Sequence, residues 1–175
     1  MTFRTSAAAC FWVTLLWAPG TFAAPLTTSV AALGLTAHDV QQAFPEAVPV
    51  RAPARLSSGA IGLLRQAHAL CEGLPFAQTF YFKAEQLTQV EMTWLGDESH
   101  ASTDSASAFT ALVRSISSQL GAELSTAAST ATTVMESASW TNANSSVVLF
   151  RSGKADKPVV RLVVRQRELV DGSTL

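Results

Sequence analysis

The stretch PFAQTFYFKAEQLTQVEMTW, Pro75 to Trp94, decides the fold. Phe76, Phe80 and Phe82 alternate with Thr79, Tyr81 and Lys83; then, after the turn KAEQ, Val90, Met92 and Trp94 alternate with Glu91 and Thr93. A period of two over both arms predicts a β-hairpin with an aromatic, buried face and a polar one. Such a hairpin needs a second layer to cover its apolar side, and the flanking segments supply it.

Upstream, GLTAHDVQQAF places Thr36 three residues before Asp39, with Val40 and Phe44 as an apolar stripe. This is a helix start with its N-cap, ended by Pro45. The proline-punctuated PEAVPVRAPARLSSG reads as an extended connection. Downstream, the spacing of Phe109, Leu112, Val113, Ile116 and Leu120 predicts a helix over about 105–120, stopped by Gly121. The chain then repeats the hairpin idea: Trp140, SSVVLFRS, a loop SGKADKP, and VVRLVVRQRE. The Ser/Thr/Ala-rich tract around 125–133 reads either as a flexible link or as continued helix.

The expected fold class is α+β: two successive helix-then-antiparallel-strands units, about 33–96 and about 102–168, with helices packed on one face of an antiparallel sheet. The opening residues carry one charge, Arg4, then an apolar run with Phe11, Trp12, Val13, Leu15 and Leu16, a Pro19-Gly20 breaker, and small residues at Ala23 and Ala24. That pattern predicts a cleavable signal peptide over 1–24, processed after Ala23 or Ala24. The run is short of the ~20 residues a spanning helix needs. The expected product is one periplasmic or secreted domain, 25–175, with no transmembrane segment.

The phrase GLTAHDVQQAFP and the hairpin YFKAEQLTQVEMTW resemble small exported α-β-β modules, the group holding outer-membrane assembly lipoproteins and the tandem-repeat β-lactamase inhibitor proteins. The resemblance implies a non-catalytic scaffold that contacts another protein. The chain departs from the lipoprotein branch, because Cys10 precedes the hydrophobic region instead of following it.

Charge is unevenly distributed along the chain. From Leu26 to Glu136 five cations face ten carboxylates, and from Ser137 to Leu175 six face three. In the last strand Arg161, Arg165 and Arg167 alternate with Leu162 and Val164, and Arg151 joins from the strand before. These four arginines are the candidate binding surface, suited to carboxylates or phosphates. An ordinary solvated, edge-protecting face fits the same residues. Nucleic acid is not expected as a partner, since the mature chain is acidic overall and exported.

Cys71 is the one cysteine of the mature chain, and it can be a core residue, an intermolecular disulfide partner or a reactive thiol. His68, three residues earlier, shares its face only if the segment is helical. His38, His68 and His100 show no HxH, HExxH or CxxC spacing, so no metal site and no cofactor are expected. No GxSxG elbow or phosphate loop occurs. Asp97, Glu98 and His100 form the densest ionisable cluster, read as a solvated connection into the next helix.

Two functions follow. The first is an exported, non-catalytic binding protein that recognises another envelope protein, as an inhibitor, an immunity protein or an assembly accessory. The alternative is a small periplasmic enzyme or ligand carrier using Cys71, His68 or the Asp97–His100 loop.

Overall fold

The computed structural model describes residues 26–96, 101–127 and 130–167, with 101–103 as backbone only. The expected signal peptide and the Asp97–His100 cluster lie outside the described residues. In chain order the elements are α1 (Leu26–Ala31), α2 (Ala37–Ala43), β1 (Val48–Pro49), β2 (Ile61–Cys71), β3 (Leu74–Lys83), β4 (Gln86–Trp94), α3 (Ala101–Leu120), β5 (Leu124–Ala127), β6 (Thr133–Thr141), β7 (Ser145–Lys154) and β8 (Lys157–Gln166). The strands form one eight-stranded sheet in the order β1-β2-β3-β4-β8-β7-β6-β5, with every neighbouring pair antiparallel. The molecule is thus α+β, as the hairpin pattern demands.

The deciding hairpin is β3-β4. Its two turn residues, Ala84 and Glu85, have φ of 48° and 66°, as a type I′ turn requires. Phe76, Phe80 and Val90 are fully buried, and Phe82 and Met92 nearly so. At the centre of the sheet β4 meets β8, with Val90 opposite Val164 and Met92 opposite Leu162.

All three helices cover this apolar face. Phe44, just beyond α2, sets its ring 4.9 Å from that of Phe80. In α1, Ser29 Oγ accepts from the buried Gln78 Nε2 at 3.3 Å. In α3, Leu112 and Ile116 are fully buried, and Ser117 Oγ accepts from Trp140 Nε1 at 3.2 Å. The predicted cap is present: Thr36 Oγ1 accepts from the Asp39 backbone N–H and donates to its carboxylate at 2.8 Å. Gly121, at φ 90°, ends α3 with its N–H on Ser117 O.

Two segments differ from expectation. The Ser/Thr/Ala tract holds strand β5 and the start of β6, and is neither continued helix nor a simple link. Ladder pairing, of β5 to β6 and of β6 to β7, organises a sequence whose own pattern is too uniform to announce a strand. The second turn is also tighter than the loop SGKADKP suggested, because Lys154 already pairs with Lys157.

The stretch around Cys71 is an eleven-residue strand carrying two register shifts. From Gln66 to Ala69 β2 advances three residues while β3 advances from Gln78 to Phe76, two residues, so one extra residue is accommodated. The bulge reverses the alternation. Leu64 and Cys71, an odd number apart, therefore both face the core.

Candidate functional site

Among the described residues, no helix packs on the opposite face of the sheet. Register alone assigns what lies there. One row across the sheet reads Arg65, Thr79, Glu91, Val163, Val148, Ser139. The next reads Ala77, Thr93, Arg161, Phe150, Ser137, and another reads Gly62, Tyr81, Gln89, Arg165, Ser146, Thr141. Alternation adds Lys83, Lys154 and Lys157 to the same face.

The strand positions of this face therefore carry Arg65, Lys83, Lys154, Lys157, Arg161 and Arg165, all exposed, against a single carboxylate, Glu91. The whole chain has a net charge of −1. The strand positions of this face are thus cationic, whereas on the helix-covered face Arg151 is paired with Glu136.

The middle of the face is ordered rather than loosely solvated. Tyr81, Gln89 and Val163 are buried, although among the described residues no helix packs on this side. The Tyr81 ring rests on Gly62, where an added Cβ would come within 3.0 Å of it. Burial raises the Tyr81 phenol above its ordinary value, Glu91 raises it further, and the positive charge of Arg161 opposes both. Glu91 accepts from Gln89 Nε2 at 2.7 Å and bonds to the Tyr81 hydroxyl. Exposed apolar side chains lie to one side of this polar centre: Phe150, opposite Arg161, then Val159 and Met135 in the next row.

The four sequence-selected arginines separate. Arg161 and Arg165 stand together on the uncovered face. Arg151 projects from the other face of β7 and is buried. Its Nε donates to Ser105 Oγ at 3.0 Å, and its Nη1 lies 3.1 Å from Glu136 Oε2, so it pins α3 to β6 and β7. Its parity explains this: Arg151 is opposite Val160, a core residue, whereas Arg161 is opposite Phe150. Arg167 lies past the end of β8 and donates to Asn142 O at 2.9 Å.

His68 is exposed and Cys71 is 1 % exposed. Burial, aided by the neighbouring Glu72 charge, pushes the thiol up to about 12. The two do not form a pair. A groove of about 720 Å³ lies between α1 and the β6-β7 turn, lined by Val30, Leu33, Asn142, Ser145, Gln166 and Arg167. Neither Cys71 nor His68 lines it. No cluster of three or more potential metal ligands occurs among the described residues.

Sequence reading missed Glu72. It follows Cys71 in the β2-β3 turn, accepts from Ser115 Oγ and the Gln119 side chain in α3, and takes the Leu26 N–H at 3.5 Å. Partial burial raises its pKa, but these donors outweigh burial and the net shift is downward. Its φ of 50° marks a tight turn that nothing in the sequence except Gly73 signals. Trp94 Nε1, beside Gly96, is buried without a hydrogen-bond partner among the described residues.

Comparison with family models, with curated proteins and with solved structures gives no match.

Proposed function

We propose that the chain is an exported, non-catalytic binding protein that recognises another protein of the cell envelope through the uncovered face of its sheet. One observation carries this reading: a broad strand face combining exposed arginines and apolar side chains beside a hydrogen-bonded Tyr81–Glu91–Gln89 centre. Tyrosine, arginine, phenylalanine and methionine on one surface is the composition of protein interfaces. A rigid antiparallel sheet offers that composition at little ordering cost.

The element order supports the same reading. Helix followed by a four-strand meander occurs on either side of the β4-β8 seam, consistent with a duplicated module. That plan is close to the small exported modules that GLTAHDVQQAFP and YFKAEQLTQVEMTW resemble, with four strands per unit instead of two.

Photo-crosslinking tests the reading. A benzoylphenylalanine is placed at Phe150 on the uncovered face and, in a second protein, at the exposed Arg114 on α3; each is irradiated in an envelope extract of the native host. A protein adduct from position 150 and none from position 114 is the expected result. Adducts only from position 114, or from neither, refute it.

A further inference from the structure

We infer that the partner meets this face with an acidic protein surface, its carboxylates on Arg161 and Arg165 and a hydrogen-bond donor opposite Glu91. The inference rests on the protein-recognition reading above. It begins from charge complementarity: one carboxylate among the strand positions of a face with several exposed cations, on a chain that is acidic overall. Arg161 and Arg165 are four residues apart on a central strand, roughly 13 Å at the usual rise. Val163 is buried between them. Two guanidiniums held this far apart by a rigid strand suit two separate carboxylates, each met bidentately.

Glu91 decides between classes of polyanion. It sits one strand from Val163, directly opposite it, and so between the two arginines. A continuous phosphate lattice or an anionic bilayer would bring further negative charge over Glu91, or strip its water without replacing it. A folded protein can place a donor there while its acidic groups reach the arginines on either side. The exposed Phe150, opposite Arg161 on β7, and Val159, two residues before Arg161 on β8, give the contact an apolar component.

The crosslink from position 150 is measured for the wild-type face, for Arg161→Glu with Arg165→Glu, and for the milder Arg161→Gln with Arg165→Gln; each is checked for an unchanged melting transition. Charge reversal should lower adduct yield about tenfold or more, and the glutamine pair should fall between. Raised salt should weaken the wild type in the same direction. The peptide (Glu-Ala)6 should compete for the site, and (Gln-Ala)6 should not. Phosphatidylglycerol vesicles should fail to sediment the protein at physiological salt. If the adduct persists through charge reversal in folded protein, the acidic-partner inference fails while protein recognition stands. If position 150 gives no adduct, protein recognition itself fails. Vesicle sedimentation that depends on Arg161 and Arg165 would replace the acidic protein with an anionic membrane.

Discussion

Alkylation of Cys71 offers a direct test of how the β2 bulge shapes the core. The side chain is 1 % exposed, and its thiol is pushed from an ordinary 9.0 to about 12 by burial and by Glu72. The thiolate is the reacting species. At pH 8 a thiol of ordinary acidity is about one-tenth ionised, whereas one at about 12 is ionised to about one part in ten thousand, so ionisation alone slows reaction about a thousandfold. Steric closure slows it further, and labelling should follow transient opening of the fold. The assay is reaction with an aromatic disulfide reagent at pH 8, in buffer and in 6 M guanidinium. A native rate within about tenfold of the denatured rate would show that Cys71 reaches solvent, and that the bulge does not turn it inward. A reductant-sensitive dimer on electrophoresis would equally refute a core role. Cys71→Ser should destabilise more than Cys71→Ala, by about 1 kcal/mol or more, because a hydroxyl needs the partner that a buried thiol does without.

Other perturbations test the remaining links. Glu72 has a folded-state pKa below its ordinary 4.5, so its stabilisation is fully present above about 4.5 and is lost as pH falls through the lower folded value. Glu72→Gln should therefore lower the melting temperature at pH 7, by the equivalent of about 1 kcal/mol after allowance for its exposure, and change little at pH 2. Equal effects at both pH values would exclude the carboxylate as the tie between α3 and the β2-β3 turn. Arg151→Met should cost about 2 kcal/mol in denaturant titration, since Glu136 is only partly exposed and Ser105 is buried. Adding Glu136→Leu should recover part of that loss. Thr36→Ala should cost about 1 kcal/mol through loss of the α2 cap, and a wild-type melting curve would contradict the capping geometry.

Fold class was legible where local pattern and tertiary environment agree. Alternation in 75–94 reports a strand covered on one side, and β3-β4 is such a hairpin. Thr36 and Asp39 announce α2 because capping is a local interaction. Elsewhere the determinant was not local. The segment QAHALC suits a helix by composition, yet pairing with β3 makes it a strand, and the bulge places Leu64 and Cys71 on one face at a spacing no regular strand permits. Strand β5 has no buried residue to betray it, since all four of its residues are exposed. It exists because β6 offers a ladder edge.

The candidate site shows the same division with greater consequence. The arginines of β8 were visible in the sequence, but their company was not, because a face is assembled across strands. Arg65 comes from β2, Glu91 from β4, Phe150 from β7, and they share a surface only through register. Counting charge along the chain divides it into an acidic first part and a basic second part; the sheet divides the same charges differently. Arg151 belongs by sequence to the basic end, yet parity sends it to the helix-covered side, where Glu136 meets it and Ser105 fixes it in place. Arg65 belongs to the acidic part, yet parity sends it outward, to the row of Glu91 and Val163. Whatever binds this protein would meet the charge pattern of the folded face, a cationic field around one fixed carboxylate. Register shifts such as the one at Gln66–Ala69 therefore shape the charge pattern of this face as well as the fold: a one-residue slip in β2 turns Arg65 toward the core and removes its charge from the face.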